Sequence, residues 1–271
     1  MKLSLLLACI AMPHTCNAST YVQTKPVFEM NSFQSVKIES LDRMNNNMDD
    51  NISTNAKTLA IDFEKAIIAI NKNREDIHVG KLLSACETLE TTMRDIGFGR
   101  GADDIASNVA KIRNIYNKIS LDKRDSMPEL LQYELQHGIT NNAEKNERTP
   151  NNSATMGLLW LGRSLNYQQD MFQNILDTNQ EPYEAACHAY ENCMKTYLPW
   201  PMQRAAALGL RTLKNLQRNT ILANIGGFSE ECYGYCEDQA TRNDLRQVVH
   251  CLQPILCRWK EIFSELNLGD I

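Results

Sequence analysis

From Ala56 onward apolar residues recur at three- and four-residue intervals, as in Leu59, Ile61, Phe63, Ala66, Ile67 and Ile70, while strict apolar–polar alternation is scarce. That spacing is the mark of helices with one buried stripe. It predicts helices over 56–72, 79–96, 102–119, 127–138, 153–178, 182–197, 201–218 and 241–266, with a shorter piece near 229–239. The breaks fall where turn-forming residues cluster: Gly97 to Gly101, the polar stretch 140–152 with Pro150, the Pro199-Trp200-Pro201 corner and Gly226-Gly227. No internal repeat is visible. The expectation is therefore an all-α domain over 56–271, two layers of helices packed on each other with room for an apolar slot between them.

The sequence upstream is of another kind. Lys2, the apolar run 3–12, Pro13 and the small residue closing Cys16-Asn17-Ala18 read as a secretory signal peptide over 1–18. Residues 19–55, with Asn45-Asn46-Asn47 and Asp49-Asp50-Asn51, form a polar leader too poor in large apolar groups to build a core. A secreted or lumenal location follows, and beyond the first dozen residues no apolar run approaches the roughly 18 residues that a spanning helix needs. The full chain of 271 residues is 43% hydrophobic and carries a formal charge of −5 without a basic block, which argues against a nucleic-acid partner. Seven cysteines remain after the signal: Cys86, Cys187, Cys193, Cys232, Cys236, Cys251 and Cys257. An oxidising compartment favours disulfides among them, and the odd number leaves at least one thiol free or paired outside the chain. Cys232-x3-Cys236 followed by His250-Cys251-x5-Cys257 matches no common zinc module, and no metal is expected. Asn51 and Asn151 open two glycosylation sequons in polar surroundings.

Three constellations carry chemistry. Asp104, Asn108 and Lys111 fall within about 60° of arc on one helix face, opposite Ile105, Val109 and Ile112. An acceptor, an amide and a cation so grouped can hold a sugar ring or a polar amide headgroup; the same spacing also suits a solvated face with a charge pair. Trp160 and Arg163 project from one side of an otherwise apolar helix, as a stacking platform beside a cation or as a core Trp with an Arg reaching solvent. Tyr197-Leu198-Pro199-Trp200-Pro201 is an aromatic corner between helices, suited to a membrane interface or to helix packing. Nothing points to an enzyme or a cofactor. His78, His137, His188 and His250 lack a neighbouring nucleophile motif, and Gly97-x-Gly99-x-Gly101 follows a helix where a phosphate-cradling loop would follow a strand.

In this order, from Leu82-Leu83-Ser84-Ala85-Cys86 through Asp104-x3-Asn108-x2-Lys111 and Trp160-Leu-x-Arg163 to the Tyr-x-Pro-Trp corner, the chain resembles the glycolipid transfer protein family over about 76–218, and Glu265-Leu266-Asn267 is similar to the family's closing residues. The resemblance implies a two-layer all-α sandwich that carries a sphingolipid without catalysis, the ceramide chains between the layers and the headgroup on the surface. It implies that Asp104 accepts from the ceramide amide, that Asn108 and Lys111 bond the first sugar, that Trp160 stacks beneath it, that Arg163 lies beside the headgroup, and that Tyr197 and Trp200 face the membrane. Two places depart from the pattern. Leu198 stands where the family has a His that meets the amide carbonyl, and Leu268 follows the closing Asn where the glycolipid branch has Tyr; His188 lies ten residues before Leu198 and is no substitute. The phosphate-reading branch has a basic residue at the Asn108 position and a second Arg at the Tyr167 position, so glycosylceramide is favoured over ceramide 1-phosphate. The expected function is a secreted sphingolipid carrier or sensor with transient membrane contact. A ceramide 1-phosphate carrier and a helical interaction module without lipid binding are the alternatives.

Overall fold

A computed structural model describes residues 52–271 except 72–73, 121–122, 141–149 and 179, so the signal peptide over 1–18 and the leader as far as residue 51 lie outside the described residues. The helices are α1 Asn55–Glu64, α2 Val79–Asp95, α3 Gly99–Tyr116, α4 Met127–Gln136, α5 Ala154–Asp177, α6 Pro182–Cys193, α7 Trp200–Leu210, α8 Arg218–Gly226 and α9 Tyr235–Glu265, with strands β1 Ile67–Asn71 and β2 Arg74–Ile77 between α1 and α2. Side-chain caps start several of them. Thr54, Ser126 and Ser153 each accept from a backbone N–H in the first turn of α1, α4 and α5. Thr54 also donates to Asp244 Oδ2 at 2.7 Å, which fixes the start of α1 against α9.

The fold class is all-α, as expected, and which helices touch defines the layers. α1, α2 and α3 lie side by side in one row and α9, α5 and α6 in the other, joined where α1 meets α9 and α3 meets α5. Between the rows the interior is apolar: Phe63, Leu89, Met93, Leu161, Phe172 and Trp259 are all fully buried. No helix of the described residues is long and apolar enough to cross a membrane.

Three expectations need correction. The first helix ends at Glu64 rather than 72, because the β-branched Ile67 and Ile68 pair antiparallel with Ile77 and Asp76 of β2. α8 was not anticipated: its apolar residues Ile221, Leu222, Ala223 and Ile225 are buried around most of its circumference, so no amphipathic stripe marks it, although Gly227 ends it in the left-handed conformation (φ 80°). The cysteines, third, are all free thiols, with no disulfide among the described residues. Cys86 lies wholly inside the core on α2, where burial pushes its thiol far up, and Cys232, Cys236 and Cys257 are exposed.

Candidate functional site

The central element is α5, and two contacts set its position. Glu134, fully buried on α4, receives the backbone N–H groups of Ala154 and Thr155 and the Thr155 hydroxyl, each at 2.7 Å. Its carboxylate thereby satisfies the free donors at the start of α5 and faces the positive end of that helix. One turn further on, Gly157 lets α5 approach α3. A Cβ there would stand 2.9 Å from Ile112 Cγ1 and 3.0 Å from the Asn108 backbone oxygen. Neither Glu134 nor Gly157 stands out in the sequence, because each matters through a partner far away in the chain.

That approach brings the α3 and α5 constellations together. The Ser164 hydroxyl donates to Asp104 Oδ2 at 2.9 Å, and Lys111 Nζ donates to Asn108 Oδ1 at 3.1 Å. Asn108 is only 1% exposed, and its Nδ2 is buried without a hydrogen-bond partner. The amide faces the Asp104 carboxylate but lies outside hydrogen-bond geometry, and a buried donor left so costs up to about 1–3 kcal/mol until an acceptor arrives. Burial raises the Asp104 carboxyl above its ordinary range, against the opposing Ser164 hydroxyl, Lys111 charge and Asn108 amide. Burial likewise lowers Lys111, with Asp104 opposing it. Trp160, half-buried, lies one turn before Ser164 and so on the same side of α5. The arrangement offers a neutral polar ligand an acceptor, an unused amide donor, a cation and a flat aromatic face.

Arg163 and the corner form the other half. The Arg163 guanidinium lies 3.7 Å from the Tyr197 ring centroid and 4.9 Å from that of Trp160, held between the two. Its Nε and Nη2 both donate to the Asp270 carbonyl, at 3.0 and 2.7 Å. Tyr197 thus packs on Arg163, whereas Trp200 is 64% exposed, with Arg204 at 4.6 Å over its ring. No residue of α7 is buried, although the helix reads WPMQRAAALGL. From Asn192 to Ser229 the sequence holds Lys195, Arg204, Arg211, Lys214 and Arg218 and no carboxylate residue, in a chain of net charge −5. Leu198 leaves the corner without an imidazole; its carbonyl accepts from Gln203 Nε2 at 2.8 Å, which ties the corner back to α7.

A separate polar cleft of about 580 Å³ opens between α5, α6 and α9. Its groups satisfy one another: Gln169 donates to the Val249 carbonyl and to Gln253, and Asn192 donates to Asp170. His188 contacts Asn174 and Asn192 beside that cleft.

Comparison with known proteins bears on the α3–α5 site. The family model for glycolipid transfer protein matches residues 77–227, which contain every residue named at that site except the segment around Asp270. A structure of FAPP2, described as selecting simple glycosphingolipids with this fold, superposes with a TM-score of 0.66 at 18% identity, covering 80% of this chain and 98% of that one. Human ceramide-1-phosphate transfer protein in complex with 12:0 ceramide-1-phosphate gives 0.65 at 15% identity, covering 79% and 98%. HET-C2, a fungal glycolipid transfer protein, gives 0.60 at 21% identity, covering 74% and 92%. A search of curated protein sequences found no significant match.

Proposed function

The chain belongs to the glycolipid transfer protein family, and from that membership we propose that it binds one sphingolipid, preferably a glycosylceramide, and carries it between membranes without changing it chemically. Proteins of this family are lipid transfer proteins, and those of its fold described above include binders of glycosphingolipid and of ceramide 1-phosphate. The observation that carries the reading is the buried, unpaired Asn108 amide beside Asp104, Lys111 and Trp160, a place that lacks one acceptor and can supply an acceptor of its own. Asp104 would accept from the ceramide amide N–H through the oxygen that Ser164 leaves free. Asn108 Nδ2 and Lys111 would bond the first sugar, and Trp160 would lie under it. Acyl chains entering the apolar interior contribute roughly 0.8 kcal/mol per buried CH₂, so the chains supply affinity and the polar face selects the headgroup. A signal peptide at 1–18 would place the exchange at a lumenal or outer leaflet; Asn151 is exposed in the turn before α5, while Ser153 of its sequon is buried as the cap of that helix.

The test is native mass spectrometry of protein purified without detergent and then incubated with glucosylceramide, ceramide 1-phosphate and glycerolipids. A one-to-one adduct selective for glucosylceramide is expected. Selectivity for ceramide 1-phosphate would transfer the reading to the phosphate branch, and a folded protein that takes up no lipid would make it an interaction module.

Membrane contact belongs to α7. Its exposed Trp200 and Leu208 lie in the carboxylate-free segment that contains five cations, which suits an interfacial helix on an anionic surface. Trp200→Ala should lower binding to phosphatidylserine-containing vesicles by roughly threefold or more and leave the Tm unchanged, since the side chain projects into solvent. Flotation of both proteins with such vesicles checks it; equal recovery would move the docking face away from α7.

A further inference from the structure

Arg163 is an unusual cation. It is 8% exposed, and among the described residues no carboxylate lies within ion-pair distance of it, the Asp270 carboxylate acting on it only from farther away. Two aromatic rings cover its faces, and the edge formed by Nε and Nη2 closes on one neutral atom, the Asp270 carbonyl oxygen. That edge is the fork that recognises a phosphate with two parallel hydrogen bonds. The atom that fills it is delivered by a short return of the chain after α9. Asn267 (φ 54°) and Gly269 (φ 104°) both adopt left-handed conformations, which turn the backbone toward α5. Leu268 and Ile271 are buried in the turn. Ile271 seats on Gly162, where a Cβ would stand 2.9 Å from Ile271 Cδ1 and 3.2 Å from Ile271 Cβ. The missing side chain at 162 is what gives the segment its seat.

We propose that residues 267–271 are a specificity element: by keeping a neutral carbonyl in the Arg163 fork, they withhold that guanidinium from an anionic headgroup and leave the neighbouring Trp160 to a neutral sugar. The inference rests on the lipid-binding reading above and deepens it, because it names the groups that refuse a phosphate. It also accounts for a buried Arg in a site otherwise composed for an uncharged ligand. The guanidinium binds the chain's own carbonyl and, through its faces, organises Trp160 and Tyr197.

Two full-length variants unseat the segment by different means. Gly162→Val drives side-chain atoms into the space of Ile271, and Ile271→Gly removes the anchor without touching α5. The Arg163 Nε–H resonance in ¹⁵N NMR reports whether the fork has opened, through faster exchange with water. With the fork open, the ratio of ceramide 1-phosphate to glucosylceramide adducts in native mass spectrometry should rise at least tenfold over the unsubstituted protein. Adding Arg163→Gln to either variant should abolish that rise. An opened fork with an unchanged ratio overturns the inference while leaving the carrier reading intact, and a fork that stays closed in both variants overturns Ile271 as its anchor. Absence of any lipid adduct from the unsubstituted protein is the separate result that would remove the carrier reading and this inference with it.

Discussion

Replacing Asp104 with Val should cut glucosylceramide uptake more than tenfold and leave the fold intact. Val cannot accept from the ceramide amide, and a charge-assisted hydrogen bond of this kind contributes about 1.5–3 kcal/mol. The fold survives because the carboxylate is a burden on the empty protein. Burial raises the Asp104 carboxyl, so the folded state binds its proton more tightly than the unfolded chain does. The group's favourable contribution is complete below the ordinary carboxylate range near about pH 4 and is lost as the pH rises through the raised value. Above the ordinary carboxylate range the group therefore contributes less to stability than it does near about pH 4. Asp104→Asn should accordingly melt above the unsubstituted protein at pH 7, with the difference closing toward pH 4. Calorimetry across that range together with lipid binding by mass spectrometry checks both halves; full uptake by Asp104→Val would remove Asp104 from the site.

The largest loss of stability should come from Glu134→Ala, well outside the binding face. Three hydrogen bonds of 2.7 Å end on this fully buried carboxylate, two of them from the first backbone N–H groups of α5. Truncation leaves those donors buried and opens a void beside them. About 3 kcal/mol is the expected cost, a fall in Tm of roughly 10 °C for a domain of this size. Because α5 carries Trp160, Arg163 and Ser164, lipid uptake should weaken even where the variant remains folded. Glu134→Gln, which keeps one acceptor, should fall between the two. A Glu134→Ala protein that melts like the parent would mean that α5 is anchored by its apolar face alone.

Both expectations show which parts of the molecule reside in local sequence. Asp104, Asn108 and Lys111 are readable as one face because helical periodicity converts spacing directly into angle, and the same rule joins Trp160, Arg163 and Ser164. The breaks at Gly226-Gly227 and Pro199-Trp200-Pro201 are likewise local, since Gly and Pro restrict the backbone wherever they occur. The hairpin 67–77 is not legible in the sequence, because three isoleucines fit a helix stripe or a strand equally well over so few residues. α8 is illegible for a related reason: a helix buried on several sides has no polar face to give it a period.

The all-α class and the composition of the two polar faces follow from short windows of the chain whose physics is complete within a few turns, and the order of those motifs over 76–218 carries the resemblance to the family. Only the tertiary structure decided that the faces meet, through Ser164 on Asp104 and the bare Gly157 against α3; that a carboxylate on α4 caps α5; and that the last residues fill the Arg163 fork. These contacts join groups distant along the chain, and their energy comes from desolvation and close approach, quantities that no single window contains until the helices pack.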